Sequence, residues 1–259
     1  MTDAARQLCA TILAIGGMGL LLSAQPRTQP APRGTATGTI TGHIALTGSP
    51  PGNPVIRMGL DPKCTDMNAG RQVIQEQAMV AADGSVANAF VRLEGTFPAT
   101  PVPTAPVVID QRACLYGPRV VGVRVGQPLQ IRNDDNLLHN VHASSVLNNS
   151  FNVGQPRAGL TYEFTPQSPE VMLKLGCDVH RWMVAFVGVT THPYFAVSAA
   201  TGRYTITQVP AGTYTIRSWH EQFGDRAQTI TVRSGSTATA DFTYGAAPGG
   251  SGRQGRSGG

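Results

Sequence analysis

The chain is poor in charge, in lysine, in cysteine and in long apolar runs, and each shortage excludes something. Charged residues make up 14% of the 259 positions, against ~25% in an ordinary soluble domain. Lys63 and Lys174 are the two lysines, and the arginines are scattered rather than clustered. A net charge of +5 spread in this way offers no basic footprint, so no nucleic-acid partner is expected. The main apolar run, Leu8 to Leu22, is shorter than the ~20 residues that span a bilayer comfortably. Arg6 precedes it and Ser23-Ala24 follows it, so residues 1–24 read as a secretory signal peptide, with an uncleaved anchor as the alternative. No other segment could span a membrane once that run is removed, and a periplasmic or secreted location is the expectation. Long helical periodicity is also missing outside this run.

Cysteine is scarce in a telling way. Of four cysteines, Cys9 falls in the apolar run, leaving Cys64, Cys114 and Cys177. An odd number in an oxidising compartment leaves one thiol without an internal partner. Either one cysteine has a special role or the protein is a disulfide-linked dimer.

What the chain has in quantity is Gly (30) and Pro (19), which suit short strands joined by many turns. Residues 25–37 read as a linker. Strand patterns follow at 38–46 and 86–94, and the four prolines between 97 and 106 mark a loop or extended edge. Further strands are expected at 119–125, 129–132, 141–146, 171–175 and 184–190. Beyond His192-Pro193 the pattern continues at 194–198, 204–207, 213–217, 229–233 and 239–244. Short strands at near-regular spacing with turn residues between them predict an all-β protein of sandwiches or barrels. Residues 245–259, rich in Gly, Ser and Arg, read as a disordered tail.

Between two of these strands lies Gly176-Cys177-Asp178-Val179-His180-Arg181-Trp182-Met183. A thiolate, an imidazole and a thioether thus occur within seven residues, and soft sulfur with imidazole is the donor set a copper site needs. A second imidazole must come from elsewhere, and Leu138-His139-Asn140-Val141-His142 supplies two candidates. On a strand, residues three apart point to opposite faces, so only one of His139 and His142 can face the loop. Zinc is the rival metal, but Met is a poor zinc ligand.

At these residues the sequence resembles the cupredoxins, amicyanin-like ones most closely. Those proteins carry a His-Asn-Val-His segment followed by a Cys-x2-His-x2-Met loop, and this chain has both in the same order. The resemblance spans about Leu115 to Thr191 and implies a Greek-key β-sandwich holding one mononuclear type 1 copper ion. It further implies His139, Cys177 and His180 as equatorial ligands and Met183 as the axial one. Asn140 would brace the two ligand loops by hydrogen bonding. A surface-near His180, ringed by Trp182 and Met183, would offer a docked partner a short path, with Trp182 at the docking face. Arg181-Trp182 departs from the Pro-Phe of amicyanins, which bears on partner choice. The implied role is one-electron transfer between periplasmic redox partners such as a c-type cytochrome or a dehydrogenase, with a link to amine oxidation, and not enzymatic catalysis. With Cys177 assigned to the metal, Cys64 and Cys114 are left to pair; pairing of either with Cys177 would instead undo the metal reading.

The stretch from Ala199 to Ile216 resembles the transthyretin-like or carboxypeptidase-regulatory-like sandwich, with its Gly-x-Tyr strand, Pro-x-Gly turn and Tyr-centred strand. It is short for a full copy, and residues 38–104 look like the missing half. The expected organisation is therefore an N-terminal β segment (38–104), a cupredoxin-like copper domain (105–192) and a carboxypeptidase-regulatory-like β segment (193–244). A copper-binding or carbohydrate-binding-like scaffold without redox turnover is the second functional reading. His192, His220 and the Asp134-Asp135 pair are weaker metal candidates; adjacent carboxylates in a turn are expected to be solvated.

Overall fold

The computed structural model describes residues 36–59 and 61–245. The signal-peptide reading, most of the linker and the C-terminal tail lie outside the described residues. Among them no helix is long and apolar enough to cross a membrane.

The described chain holds seventeen strands and one short helix. In order they are β1 (Thr37–Thr47), α1 (Pro62–Met67), β2 (Phe90–Glu94), β3 (Val107–Arg112), β4 (Leu115–Gly117), β5 (Val120–Arg124) and β6 (Leu129–Asn133). There follow β7 (His139–Ala143), β8 (Phe151–Gln155), β9 (Leu160–Phe164), β10 (Glu170–Gly176), β11 (Val184–Thr190) and β12 (Phe195–Val197). The last are β13 (Arg203–Pro210), β14 (Gly212–His220), β15 (Gly224–Val232), β16 (Thr237–Thr239) and β17 (Phe242–Gly245).

Four sheets form two sandwiches, each closed over its own core. The first pairs a five-stranded sheet, β5-β11-β10-β7-β8, with a four-stranded sheet, β4-β3-β6-β9. The chain passes repeatedly between these sheets, which places sequence-distant strands side by side, as in the parallel pairs β5·β11 and β3·β6. Ile109, Val123, Leu129, Ile131, Val141, Leu175 and Val187 fill its interior. Burying one face of each sheet drives this layering.

The second sandwich is built from both ends of the described chain. β1 pairs antiparallel with β13 and parallel with β16 and β17, while β12-β2-β14-β15 form the opposing sheet. Residues of β1 alternate between partly exposed and buried, the mark of a strand with one face on a core. Ile40, Val91 and Ile216 share that core, so the N- and C-terminal segments complete one sandwich and the first sandwich is an insertion between them.

The stretch between β1 and β2, inside the N-terminal β segment expected for 38–104, is mostly irregular. Among its described residues it has isolated bridges alone, Val55–Ile74, Val80–Val86 and Ser85 to Ala45 of β1, and it places Ile56, Met58 and Cys64 in the core of the first sandwich. Here lies α1, capped by Asp61 with Pro62 at its first turn, the arrangement that orphan N–H groups and a fixed proline φ favour. Strands β4, β8 and β9 were not expected from the sequence, and β13 runs on to Pro210, where a turn was expected, because Pro210 pairs with Thr37 at the strand's end.

His220, at the end of β14, is buried and stacks on Phe223 with centroids 4.5 Å apart. Burial pushes its pKa down to about 4, and its Nδ1 accepts the Gln222 N–H. Below the ordinary value of about 6.5 the unfolded chain takes up a proton that the folded chain refuses, so stability falls as pH drops toward 4. The expected contribution is a loss of about 2 kcal/mol between pH 7 and pH 5. Urea midpoints of the native chain and His220→Gln at both pH values check this; parallel pH slopes would reject it.

Candidate metal centre

The site lies at one end of the first sandwich, where β7 begins and β10 turns into β11. His139 opens β7, and antiparallel pairing of Gly176 with His142 sets the Cys177 loop beside it. Strand alternation turns His139 inward, fully buried, and His142 outward with 40% of its side chain exposed. His142 Nδ1 is paired with Asp178 Oδ1 at 2.9 Å and takes no part in the site.

His139, Cys177 and His180 each present a donor atom, all within 4.8 Å of one another. His139 Nδ1 lies 3.0 Å from His180 Nδ1, and Cys177 Sγ lies 3.9 Å from the latter. Cys177 is the one cysteine outside a disulfide among the described residues; Cys64 and Cys114 are bonded to each other. Burial pushes the Cys177 thiol up, but His139 and the N–H groups of Asn140, His180 and Val179 outweigh it and hold it below the usual range. Met183 is fully buried in the same core cluster as Cys177, and its N–H donates to His180 O at 2.8 Å.

The loops are braced to each other through Asn140. Its Oδ1 accepts the N–H groups of Asp178 (2.6 Å) and Val179 (3.4 Å), and its Nδ2 donates to Asp178 Oδ2 and Asn152 Oδ1. Its own N–H points at Cys177 Sγ, 3.5 Å away.

Both imidazoles are tied off at their far nitrogen by carboxylates that sequence reasoning missed. His139 Nε2 donates to Asp135 Oδ2 at 2.9 Å, and His180 Nε2 donates to Asp61 Oδ2 at 3.0 Å. Asp135, expected to be solvated with Asp134, is buried instead; only Asp134 is a surface residue, paired with Arg112. Burial pushes the Asp135 carboxyl up, but His139 and the N–H groups of Cys114 and Ala113 more than compensate. On His139, burial pulls the pKa down, while Asp135 and Cys177 hold it above the ordinary value. Carboxylates only accept, so each Nε2 carries the hydrogen and each Nδ1 lone pair faces the other across 3.0 Å. Two such lone pairs repel unless a cation, a proton or a metal ion, lies between them.

His180 is 2% exposed, a departure from the surface-near position expected of it. Asp61 and the disulfide cover it on one side, with Cys64 Sγ 3.5 Å from Nε2, and Trp182 packs on it with centroids 5.1 Å apart. Trp182 is half-buried, its indole N–H donating to Cys114 O at 2.8 Å. Asp61 carried one sequence signal, an Asp-Pro pair fit to start a helix; nothing local tied it to His180. His192 and His220 lie in no His/Cys/Asp/Glu group able to hold a metal among the described residues.

Both halves are β-sandwiches of two facing sheets. Residues 184–245 match the family model of the carboxypeptidase regulatory-like domain, a span that starts in β11 of the first sandwich. Among solved structures the chain is similar to a purple cupredoxin from Nitrosopumilus maritimus, with 24% identity over 32% of this chain and 98% of that one and a TM-score of 0.29. A methionine-to-alanine variant of amicyanin in its Cu(I) state shows 20% identity over 38% of this chain and 97% of that one, with a TM-score of 0.30. A copper-containing nitrite reductase from Thermus scotoductus SA-01 shows 18% identity and a TM-score of 0.31 over 37% of this chain. This chain spans 24% of that reductase. No curated protein matches the chain.

Proposed function

We propose that the protein is an exported one-electron carrier in which His139, Cys177, His180 and Met183 would hold a single copper ion. The observation that carries this reading is the convergence of two imidazole Nδ1 lone pairs and a thiol held below its usual pKa in one buried spot. Two imidazoles, a thiolate and a thioether are a donor set suited to copper rather than zinc. Bound there, copper would supply one-electron exchange between Cu(I) and Cu(II).

The chain's own residues do the rest. Asn140, Asp135 and Asp61 fix the ligands from behind, so the donors need move little when the charge changes. His139, Cys177, His180 and Met183 are all buried, which keeps water and substrates from the site and favours electron transfer over catalysis. A c-type cytochrome or a dehydrogenase, the latter linked to amine oxidation, is the class of partner proposed, in the periplasm or outside the cell.

Titration of the purified, metal-free chain with Cu(II) tests the reading. One equivalent is expected to develop an intense visible thiolate-to-copper band that a reductant bleaches and an oxidant restores. A colourless complex, or saturation at two equivalents, would reject it. The burial of His180 favours a second reading, a copper-holding scaffold without turnover. A coloured protein that no c-type cytochrome reduces would select it.

A further inference from the structure

We infer that Asp61 is a positioning residue for the metal centre and that the Cys64–Cys114 disulfide holds it in place, so that residues 61–67 form a covalently tethered cap over His180. This rests on the copper reading above.

Asp61 uses both carboxylate oxygens. Oδ1 accepts the Cys64 N–H at 3.2 Å and starts α1, while Oδ2 accepts from His180 Nε2 at 3.0 Å. A six-residue helix has too few internal bonds to fold alone, so its place must be set from outside. Cys64 bonds it to Cys114, fifty residues on and next to β4. Asn68 Nδ2 donates to both Cys64 O (2.8 Å) and Ala113 O (2.9 Å), pinning the helix end to the same turn.

The disulfide also joins the two carboxylate–imidazole pairs. The Cys114 N–H donates to Asp135 Oδ2 at 2.8 Å, and that same oxygen receives His139 Nε2 at 2.9 Å. A ring results, Asp61, His180, His139, Asp135, Cys114, Cys64 and back to Asp61, joined by hydrogen bonds and the disulfide except between His180 and His139, whose Nδ1 atoms face each other at 3.0 Å. Each imidazole is thereby held in one tautomer and one orientation, the role carboxylates play behind metal-bound histidines. Opening the ring at Asp61 frees His180 to turn; opening it at the disulfide uncovers it.

Two measurements on the full chain test this. With the metal-free protein, the rate at which diethyl pyrocarbonate modifies His180 is read by peptide mass spectrometry. With the copper-loaded protein, the rate of Cu(I) loss to a chelator and the Cu(II) hyperfine splitting are read. Asp61→Ala is expected to speed copper loss by about 10- to 100-fold, to shift the hyperfine splitting and to raise the His180 modification rate. Asp61→Asn keeps one acceptor oxygen for the two donors, Cys64 N–H and His180 Nε2–H, so its copper-loss and modification rates should fall between those of the native chain and Asp61→Ala. Asp61→Ser retains a helix cap but is too short to serve both groups, so it should resemble Asp61→Ala. If serine instead matches the native chain, Asp61 is a helix cap alone and the inference falls. Cys64→Ala/Cys114→Ala should expose His180 to the reagent; where that variant does not fold, the Asp61 series decides. A native chain that binds no copper rejects the copper reading, and the metal-free modification rates then judge the cap by themselves.

Discussion

Replacing Cys177 by serine is expected to abolish the visible band of the copper-loaded protein while leaving the fold in place. The band requires a thiolate bonded to the metal, and Cys177 is the thiol outside a disulfide among the described residues. Its surroundings are arranged for the charged form: the N–H groups of Asn140 and His180 approach Sγ at 3.5 and 3.4 Å, and their pull with that of His139 outweighs burial. A serine hydroxyl fills nearly the same space and accepts the same N–H groups, so the stability change should stay within about 1 kcal/mol. Copper affinity should collapse, because a neutral hydroxyl replaces the one anionic soft donor. Visible absorption, copper content after dialysis and near-UV circular dichroism check this together. Retention of the band would place the chromophore on another sulfur; loss of the dichroism would make the effect one of folding.

The contrast between what is local and what is not explains how much of the site was legible. Cys177, His180 and Met183 sit on one loop between adjacent strands, so spacing alone places them together. His139 could be told from His142 in principle because strand alternation turns one inward, and only strand register decides which. Asp61 and Asp135 were not legible. Asp61 reaches His180 across 119 positions, through a segment without periodicity whose path follows Cys64 and the core contacts of Ile56 and Met58. Asp135 stands beside Asp134 in sequence with the same chemistry, yet one is buried and one faces water. The all-β character was readable from turn residues and alternation. Strands β8 and β9 were missed because only one side chain of their ten is fully buried, and a sheet edge does not impose a strong pattern.

Phe90→Ala is expected to cost about 3–5 kcal/mol, the range for deleting a buried aromatic ring. Phe90 begins β2 in the second sandwich, and its ring lies over Gly188 of β11 in the first: a Cβ on Gly188 would come within 2.3 Å of the ring. Gly122, the register partner of Gly188 on β5, would meet Phe195 at 2.2 Å in the same way. The two glycines thus make a flat patch that the Phe90–Phe195 pair, with centroids 5.7 Å apart, fills. Around it, Arg119 and Glu221 form a buried bidentate ion pair between the sandwiches, and Phe186 packs on Trp219. Such an interface couples the unfolding of its two halves. The protein's two tryptophans report one from each sandwich, Trp182 beside the metal centre and Trp219 on β14. In the native chain both should lose structure in a single urea transition, and Phe90→Ala should lower the midpoint or split it in two. A loss below about 1 kcal/mol would mean the sandwiches stand independently. Gly188→Val should act in the same direction through overpacking, by about 1–3 kcal/mol. The consequence reaches the site because β11 starts at Val184, directly after Met183: what clamps Gly188 also anchors the far end of the ligand loop, and a loop anchored at both ends holds its donors still.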